Sequence, residues 1–140
     1  MNSSDIETLF LNIVKSVADV NPAYMNWSLA SIQDVVSNSS FRFYKTEQNE
    51  IASMICFQSN SEFVEILALG TLPEYQRQGF SEKLLNQFLS ECSGTSKFVT
   101  LEVHCENLPA IALYEKCGFK TVRIRKNYYS DGSHALVMDK

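Results

Sequence analysis

The chain contains few glycines, prolines and cysteines. Its 140 residues include five Gly and three Pro, which excludes collagen-like and most low-complexity sequences. It has four Cys, but no two form a CxxC pair and no His lies at zinc-site spacing from them. We therefore expect four reduced thiols and no metal site, rather than a disulfide scaffold or a zinc centre.

Long apolar runs and a basic leader are also missing. No stretch approaches the roughly 20 apolar residues needed to span a bilayer, and the first five residues carry one acidic group and no basic one, unlike a signal peptide. We predict a cytoplasmic protein without a membrane partner. The net charge of -4 argues against a nucleic-acid partner, because nucleic-acid-binding domains of this size are usually basic.

The apolar content is sufficient for a single folded domain. Apolar residues make up 45% of the chain, and a chain of this length buries roughly 70% of its unfolded surface. We predict one domain over residues 1–140. Residues 1–65 hold three basic and eight acidic groups, whereas residues 66–140 hold nine and eight, so an anionic ligand should prefer the second half.

Two helices and then a strand-rich region are predicted. A capping box at Ser4 and Glu7 precedes a helical apolar stripe that Pro22 ends, and a second helix begins at Ser28. Further helices follow Gly79 and Asn107, with a Gly118 cap after the latter. Strands are predicted at 41–45, 51–57, 63–72, 98–105, 119–129 and 134–139. The order ααβββαβαββ indicates an α/β (α+β) fold, a mixed sheet with a single crossover flanked by helices.

The turn before the third helix has the parts of an anion site. Gln76-Arg77-Gln78-Gly79-Phe80-Ser81 brings a Gly and free backbone N–H groups to the positive end of a helix, which suits a pyrophosphate. The ordinary explanation is a Gly-containing loop that only starts a helix. From the residues alone, both explanations stand.

Three residues downstream carry groups that can move protons. Glu102 and His104 lie off the apolar face of an alternating strand, and Tyr114 lies three and four residues after Ile111 and Ala110. A solvated carboxylate and a tyrosine in the helix core are the ordinary explanations for Glu102 and Tyr114. A lone His such as His104 is more often a surface residue than a proton relay.

Two segments resemble a known family. The segment 73–85 resembles the acyl-CoA-binding motif Q/R-x-x-G-x-G/A of the GNAT superfamily of N-acetyltransferases, and 101–119 resembles the second half of that family's cofactor site. Within the superfamily, Arg125-Lys126-Asn127-Tyr128-Tyr129 and Trp27-Ser28 are similar to RimI-type ribosomal-protein-alanine N-acetyltransferases. The resemblance covers about residues 24–140 and implies the single-domain GNAT fold.

The resemblance implies acetyl-CoA as co-substrate, no metal, Glu102 as general base and Tyr114 as general acid. It implies these cofactor-binding residues: Leu69, Gly70, Thr71, Arg77, Gln78, Gly79, Phe80, Ser81, Glu82 and Asn107. Ser81 stands where the family usually has Gly or Ala; its side chain is small, so we expect little crowding, and its hydroxyl is long enough to reach a phosphate. Gly70 adds backbone freedom at the end of its strand. Asn107 is also a candidate helix cap.

The same resemblance places a peptide groove between two aromatic walls: Tyr24, Met25 and Trp27 on one side, Tyr128 and Tyr129 on the other. Packing of these aromatics against the sheet is the alternative. The resemblance implies direct transfer of an acetyl group, in a ternary complex, to a protein N-terminal α-amine such as the alanine of a ribosomal protein. The alternatives are a small-amine or lysine acetyltransferase and a non-catalytic acyl-CoA sensor.

Overall fold

The computed structural model describes residues 1–20 and 27–140. A 3-10 turn at Pro73–Tyr75 connects β3 to α3. In chain order the elements are α1 (Ser3–Val20), α2 (Leu29–Asn38), β1 (Ser40–Lys45), β2 (Ile51–Ser59), β3 (Phe63–Thr71), α3 (Phe80–Cys92), β4 (Phe98–His104), α4 (Leu108–Lys116), β5 (Lys120–Arg125) and β6 (Ala135–Asp139). The predicted order and fold class are confirmed.

The six strands form one mixed sheet in the order β1-β2-β3-β4-β6-β5. Among the strands of the described residues, only β3 and β4 pair in parallel, connected by the crossover helix α3, and the other neighbours are antiparallel. A core on each side supports the sheet. One core packs under α3 and α4 around Leu85, Phe88 and Leu101, and the other packs under α1 and α2 around Phe10, Ile13 and Ile32.

β3 contains a bulge that the apolar pattern did not predict. Cys56 of β2 pairs with Ala68, and the next residue, Phe57, pairs with Ile66, so Leu67 is the extra residue on β3. An extra residue reverses the alternation of side chains along the strand. Ile66 accordingly packs in the core under α3 and α4, whereas Ala68 packs in the core under α1 and α2.

β3 and β4 are paired over only part of their length. Their register runs from Phe63 opposite Phe98 to Ile66 opposite Leu101, while β3 continues to Thr71 and β4 to His104. Beyond Ile66 the two strands therefore separate. This separation opens the cleft described below.

The ends of the first two helices are capped by short polar side chains. The N–H of Asp5 donates to Asn2 Oδ1 at 2.9 Å, and the N–H of Asn2 donates to Asp5 Oδ2 at 3.3 Å. The capping box predicted at Ser4 is therefore wrong, because Asn2 caps equally well two residues earlier. The second helix, predicted to begin at Ser28, begins at Leu29, and Ser28 caps it through reciprocal bonds with Ser31. The predicted stop at Pro22 lies outside the described residues.

The C-terminal hairpin is shorter than predicted. The strand expected over 119–129 ends at Arg125, and Asn127 then takes a positive φ of 53°, which turns the chain out of the sheet. Gly118 has a φ of 98°, as predicted for a helix cap.

All four cysteines are free thiols. Within the described ranges, no helix combines the length and apolarity needed to cross a membrane.

Candidate active site

A cleft of about 950 Å³ opens where β3 and β4 separate. It brings together seven of the residues predicted from the sequence: Trp27, Leu69, Glu102, Asn107, Tyr114, Tyr128 and Tyr129. Gly70, Thr71 and the turn 77–82 do not line this cleft. Tyr24 and Met25, predicted for the groove wall, lie outside the described part of the chain.

The turn at one end of β3 presents backbone to solvent. Gly79 caps α3 with a left-handed φ of 78°, and Arg77 also has a positive φ of 64°. Arg77, Gln78 and Gly79 are exposed, and a Cβ added at Gly79 would meet no atom within 4 Å. The first N–H groups of a helix have no partner inside it. The turn therefore offers donors to an anion, as the motif predicts.

Two side chains of this turn are engaged within the protein. The ring of Phe80 stacks on Tyr44 with centroids 5.2 Å apart. The Glu82 carboxylate pairs with Lys116 Nζ at 3.1 Å. Any contact of Glu82 with an anionic ligand would therefore come from its backbone N–H, because its carboxylate repels negative charge.

Ser81 belongs to a chain of three hydroxyls. Its Oγ lies 2.5 Å from Thr71 Oγ1, which lies 2.7 Å from Oγ of the fully buried Ser53. The sequence allows the Ser81 hydroxyl to reach a phosphate, whereas in the structure it bonds Thr71. It therefore ties the start of α3 to the end of β3.

Gly70 is required by packing. A Cβ at this position would lie 2.2 Å from Cγ2 of Ile13 on α1, a distance that real Cβ atoms do not show. Absence of a side chain lets α1 approach the sheet. This close approach, rather than the backbone freedom expected from the sequence, is what the structure assigns to Gly70.

Tyr114 on α4 and Asn107, which precedes α4, both line the cleft. Tyr114 is half-buried against Phe119, with ring centroids 5.8 Å apart. Burial, followed by the nearby Cys117, raises the pKa of Tyr114 to about 12, so its hydroxyl keeps its proton at neutral pH. The side chain of Asn107 accepts from the N–H of Ala110 at 3.4 Å, which confirms the predicted cap.

In the cleft, Glu102 is held by Arg125 and Tyr128. Its Oε1 lies 2.5 Å from Arg125 Nη1, and the guanidinium of Arg125 lies 4.3 Å from the ring centroid of Tyr128. Burial and then a hydrogen bond to Glu102 raise the pKa of Tyr128. Glu102 is therefore not the isolated solvated carboxylate of the ordinary explanation.

Tyr128 and Tyr129, which we call the hairpin wall, are held in place by a buried histidine. Tyr129 packs on Tyr128 and on His104, with ring centroids 5.1 and 4.6 Å apart. His104 is fully buried, so the expectation of a surface residue is wrong. Its Nδ1 accepts from the N–H of Glu106 at 3.1 Å, and its Nε2 lies 3.7 Å from Asp131 Oδ2. These contacts attach the 126–134 loop to β4.

Trp27 lines the same cleft. Its ring meets Phe10 edge to face, with centroids 5.0 Å apart. The packing explanation and the groove explanation are therefore both compatible with the structure at this position.

Glu65 is a cleft residue that the sequence analysis missed. It lies on β3, lines the same cleft as Glu102 and Arg125, and is half-buried. Burial first, and then the charge of Glu102, raise the pKa of Glu65, while Arg125 lowers it. A charged residue in the middle of an otherwise apolar strand was the available signal, because such residues are seldom buried without a reason.

Comparison with known proteins shows the family. Residues 12–119 match the model of the Acetyltransferase (GNAT) family. An N-alpha-acetyltransferase of Saccharolobus solfataricus is 39% identical over 75 residues, which are 52% of this chain and 45% of that protein. The ribosomal protein bS18-alanine N-acetyltransferase of Escherichia coli is 31% identical over 116 residues, which are 80% of this chain and 78% of that protein.

A solved structure, Ard1 of Thermoplasma volcanium, superposes with a TM-score of 0.81 at 27% identity, covering 100% of this chain and 93% of that chain. The match to the Saccharolobus protein spans less than half of its length, whereas the match to the Escherichia coli protein spans more than three quarters.

Proposed function

The chain belongs to the acetyltransferase (GNAT) family and is an acyltransferase, and from this premise we propose that it acetylates protein N-terminal α-amines with acetyl-CoA. The observation that carries the proposal is the set of aromatic residues in the cleft. Tyr128 and Tyr129 line it together with Glu102 and Trp27. The relatives named for N-alpha and ribosomal-protein-alanine acetylation support it.

The residues of the cleft and the turn fit acetyl-CoA. Beyond Ile66, the edge of β3 toward β4 has no strand partner in the described part of the chain, so its backbone is available to the amides of an extended pantetheine arm. The turn at Gly79 would hold the pyrophosphate, and Asn107 lies in the cleft beside Tyr114. Acetyl-CoA supplies an acetyl thioester, whose C–S bond breaks as the C–N bond to the amine forms.

Two groups of the chain would move protons in this reaction. The acceptor arrives largely as an ammonium ion, and a carboxylate on the acceptor side, Glu102 by family resemblance, takes its proton. Tyr114, protonated at neutral pH because burial raises its pKa to about 12, would donate its hydroxyl proton to the departing sulfur. The two groups approach the cleft from different elements, β4 and α4.

Acceptor basicity favours an α-amine. An α-amine titrates near pH 8 and a lysine near 10.4, so freeing the lysine nucleophile at neutral pH costs about 3 kcal/mol more. The carboxylates of this cleft can therefore deprotonate an α-ammonium at a lower cost. Small amines and lysine remain the alternative acceptors, and an acyl-CoA sensor is the non-catalytic alternative.

The proposal is tested by thiol release from acetyl-CoA with three acceptors: an Ala-started peptide, the same peptide N-blocked with one internal Lys, and spermidine. We expect turnover of the free N-terminus in preference to the other two. Preferential turnover of the blocked peptide or spermidine contradicts the proposed acceptor. Stabilisation by acetyl-CoA without turnover of any amine favours the sensor.

A further inference from the structure

We propose that Thr71, at the end of β3, is a positioning residue for the cofactor. It holds both ends of the phosphate turn, by which we mean residues 76–81, in the shape that binds the pyrophosphate of acetyl-CoA. The role rests on the proposed function, because the turn would bind that cofactor. The family resemblance implies that Thr71 touches the cofactor, but its side chain bonds residues of this chain.

The side chain of Thr71 holds the far end of the phosphate turn. Its Oγ1 lies 2.5 Å from Oγ of Ser81, which is the second residue of α3 and follows the Gly79 cap by two residues. The backbone N–H groups that are free to bind an anion belong to this first turn of the helix. The bond between the two hydroxyls therefore fixes these donors relative to the end of β3.

The main chain of Thr71 holds the near end of the same turn. Gln76 Nε2 donates to the carbonyl oxygen of Thr71 at 3.2 Å, and it also donates to Ser16 Oγ on α1 at 2.7 Å. Thr71 thus contacts the first and the last residue of the phosphate turn through two different groups. Few changes in the shape of the turn leave both contacts intact.

Thr71 is itself anchored in the interior. Its Oγ1 lies 2.7 Å from Oγ of Ser53, the residue opposite it on β2, and Ser53 is fully buried. A buried hydroxyl is destabilising unless it is hydrogen-bonded, and threonine has few side-chain rotamers because it is β-branched. The Ser53 hydroxyl therefore keeps the Thr71 side chain in the orientation that reaches Ser81.

The phosphate turn needs such ties because its own conformation is an uncommon one. Arg77 and Gly79 both have positive φ, of 64° and 78°, and a left-handed conformation is costly for a residue such as arginine. Residues 76–79 are exposed, so packing in the core does not hold them. A segment that is ordered before its ligand arrives loses less conformational entropy on binding. The ties should therefore raise the affinity for the pyrophosphate without touching it.

The contact explains why Ser81 departs from the family pattern. Gly or Ala at this position has no side-chain hydroxyl, so neither could bond Thr71. In this chain a hydroxyl at 81 has a partner at 71, which in turn has a partner at Ser53. The three hydroxyls form one connected set, and the tie is a feature of this sequence.

The test is calorimetric binding of coenzyme A to the whole protein and its variants. Thr71→Val keeps the shape of the side chain but removes its hydroxyl, and it should weaken binding about fivefold, the scale of one hydrogen bond. Ser81→Ala should weaken binding to a similar degree. Thr71→Ser keeps a hydroxyl and should retain most of the affinity.

Thr95→Val is the matched control. The Thr95 hydroxyl donates to the carbonyl oxygen of Cys92 at 2.8 Å, just beyond the other end of α3. Its loss also removes a hydroxyl bond next to this helix, but far from the phosphate turn. The control should bind coenzyme A as the wild type does. A loss of affinity in the control equal to that in Thr71→Val contradicts the proposal.

The double variant tests whether one bond is responsible. If Thr71 and Ser81 act through their mutual contact, Thr71→Val combined with Ser81→Ala should bind coenzyme A about as well as either single variant, because the second change has nothing left to remove. Losses that multiply in the double variant show two independent effects and contradict a shared tie.

A truncated thioester shows where the ties act. S-acetylpantetheine carries the reacting acetyl group but lacks the pyrophosphate. Thr71→Val and Ser81→Ala should raise the KM for acetyl-CoA while leaving kcat/KM for S-acetylpantetheine unchanged, measured with the acceptor that the wild type turns over best. Equal losses with both thioesters indicate general damage to the fold and contradict the proposal.

Ser81→Ala keeps the test decisive if Thr71→Val folds poorly, because alanine is a favourable residue in a helix. Coenzyme A binding by Ser81→Ala within about twofold of the wild type contradicts the positioning role and leaves the proposed function standing. Absence of coenzyme A binding by the wild type contradicts the proposed function, and the role of Thr71 falls with it.

Discussion

Arg125 on β5 and Glu102 on β4 are joined across β6, with the guanidinium Nη1 2.5 Å from the carboxylate Oε1. The same guanidinium lies over the ring of Tyr128. Ion pairs at this degree of exposure contribute little to the free energy of unfolding. We therefore infer that this pair matters mainly because it fixes the aromatic wall relative to the two carboxylates.

The first prediction concerns Arg125→Met. Arg125 pairs with Glu102 and lies over the ring of Tyr128, so its removal should release the aromatic wall and raise the KM for the acceptor several-fold, with little change in the KM for acetyl-CoA. Arg123→Met on the same exposed strand is the control and should leave both constants unchanged. An acceptor KM of Arg125→Met equal to that of the wild type would show that this pair does not position the wall.

Tyr114→Phe should lower kcat roughly a hundredfold with little change in acetyl-CoA affinity, because a general acid is lost while the ring remains. Tyr44→Phe is the matched control, since both tyrosines are half-buried against the same core. Stopped-flow or steady-state thiol release measures kcat, and calorimetry measures the affinity. Near wild-type turnover of Tyr114→Phe would remove this residue from the mechanism.

The alkaline side of the pH profile provides a further check on Tyr114. Because its pKa is raised to about 12, the proton that it donates is retained throughout the neutral and mildly alkaline range. Activity should rise as the acceptor amine loses its proton and should not fall near pH 10, where an ordinary tyrosine ionises. A fall there that is absent in Tyr114→Phe would mean that burial does not protect this hydroxyl.

Gly79→Ala should weaken acetyl-CoA binding. Alanine is strained by roughly 1 kcal/mol or more at positive φ, and its Cβ crowds the backbone that meets the pyrophosphate. Gly132→Ala is the matched control, since Gly132 also has a positive φ, of 84°, and open space around it. Both variants should lose stability, but only Gly79→Ala should lose acetyl-CoA affinity in calorimetry. Equal affinities would mean that the phosphate turn lies elsewhere.

Sequence patterns predict most of the fold because the signals are local. The periods of the helices and strands, the Ser28 cap and the Gly118 cap each depend on a few neighbouring residues. The burial of His104 depends on residues distant in sequence, because Tyr129 and Asp131 pack against it on β4. The sequence pattern likewise does not reveal the bulge at Leu67, because that stretch of β3 is apolar on both faces.

The candidate site likewise contains residues that the sequence predicts and residues that only the structure reveals. Glu102, Asn107 and Tyr114 belong to one continuous motif, and the structure places them in one cleft. Glu65 lies far from that motif in sequence and joins it only through the parallel pairing of β3 with β4. Ser81 departs from the family pattern in the sequence, but only the structure reveals its bond to Thr71.

Gly70→Ala should destabilise the fold through overpacking. The new Cβ would overlap Cγ2 of Ile13, and overpacking of this kind typically costs 1–3 kcal/mol. Removing the obstructing methyl with Ile13→Ala should relieve it, so the cost of Gly70→Ala should be much smaller in that background. Urea unfolding of the four proteins in the cycle measures the coupling. Equal costs in both backgrounds would show that α1 does not approach Gly70 as described.

The central claim is tested most directly by locating the acetyl group after reaction with one peptide that carries both a free N-terminal Ala and an internal Lys. Each acceptor is then present at the same concentration, and fragment mass spectrometry identifies the modified nitrogen. The account predicts acetylation of the α-amine before any modification of the lysine. Acetylation of the lysine first, or of both at equal rates, would contradict it.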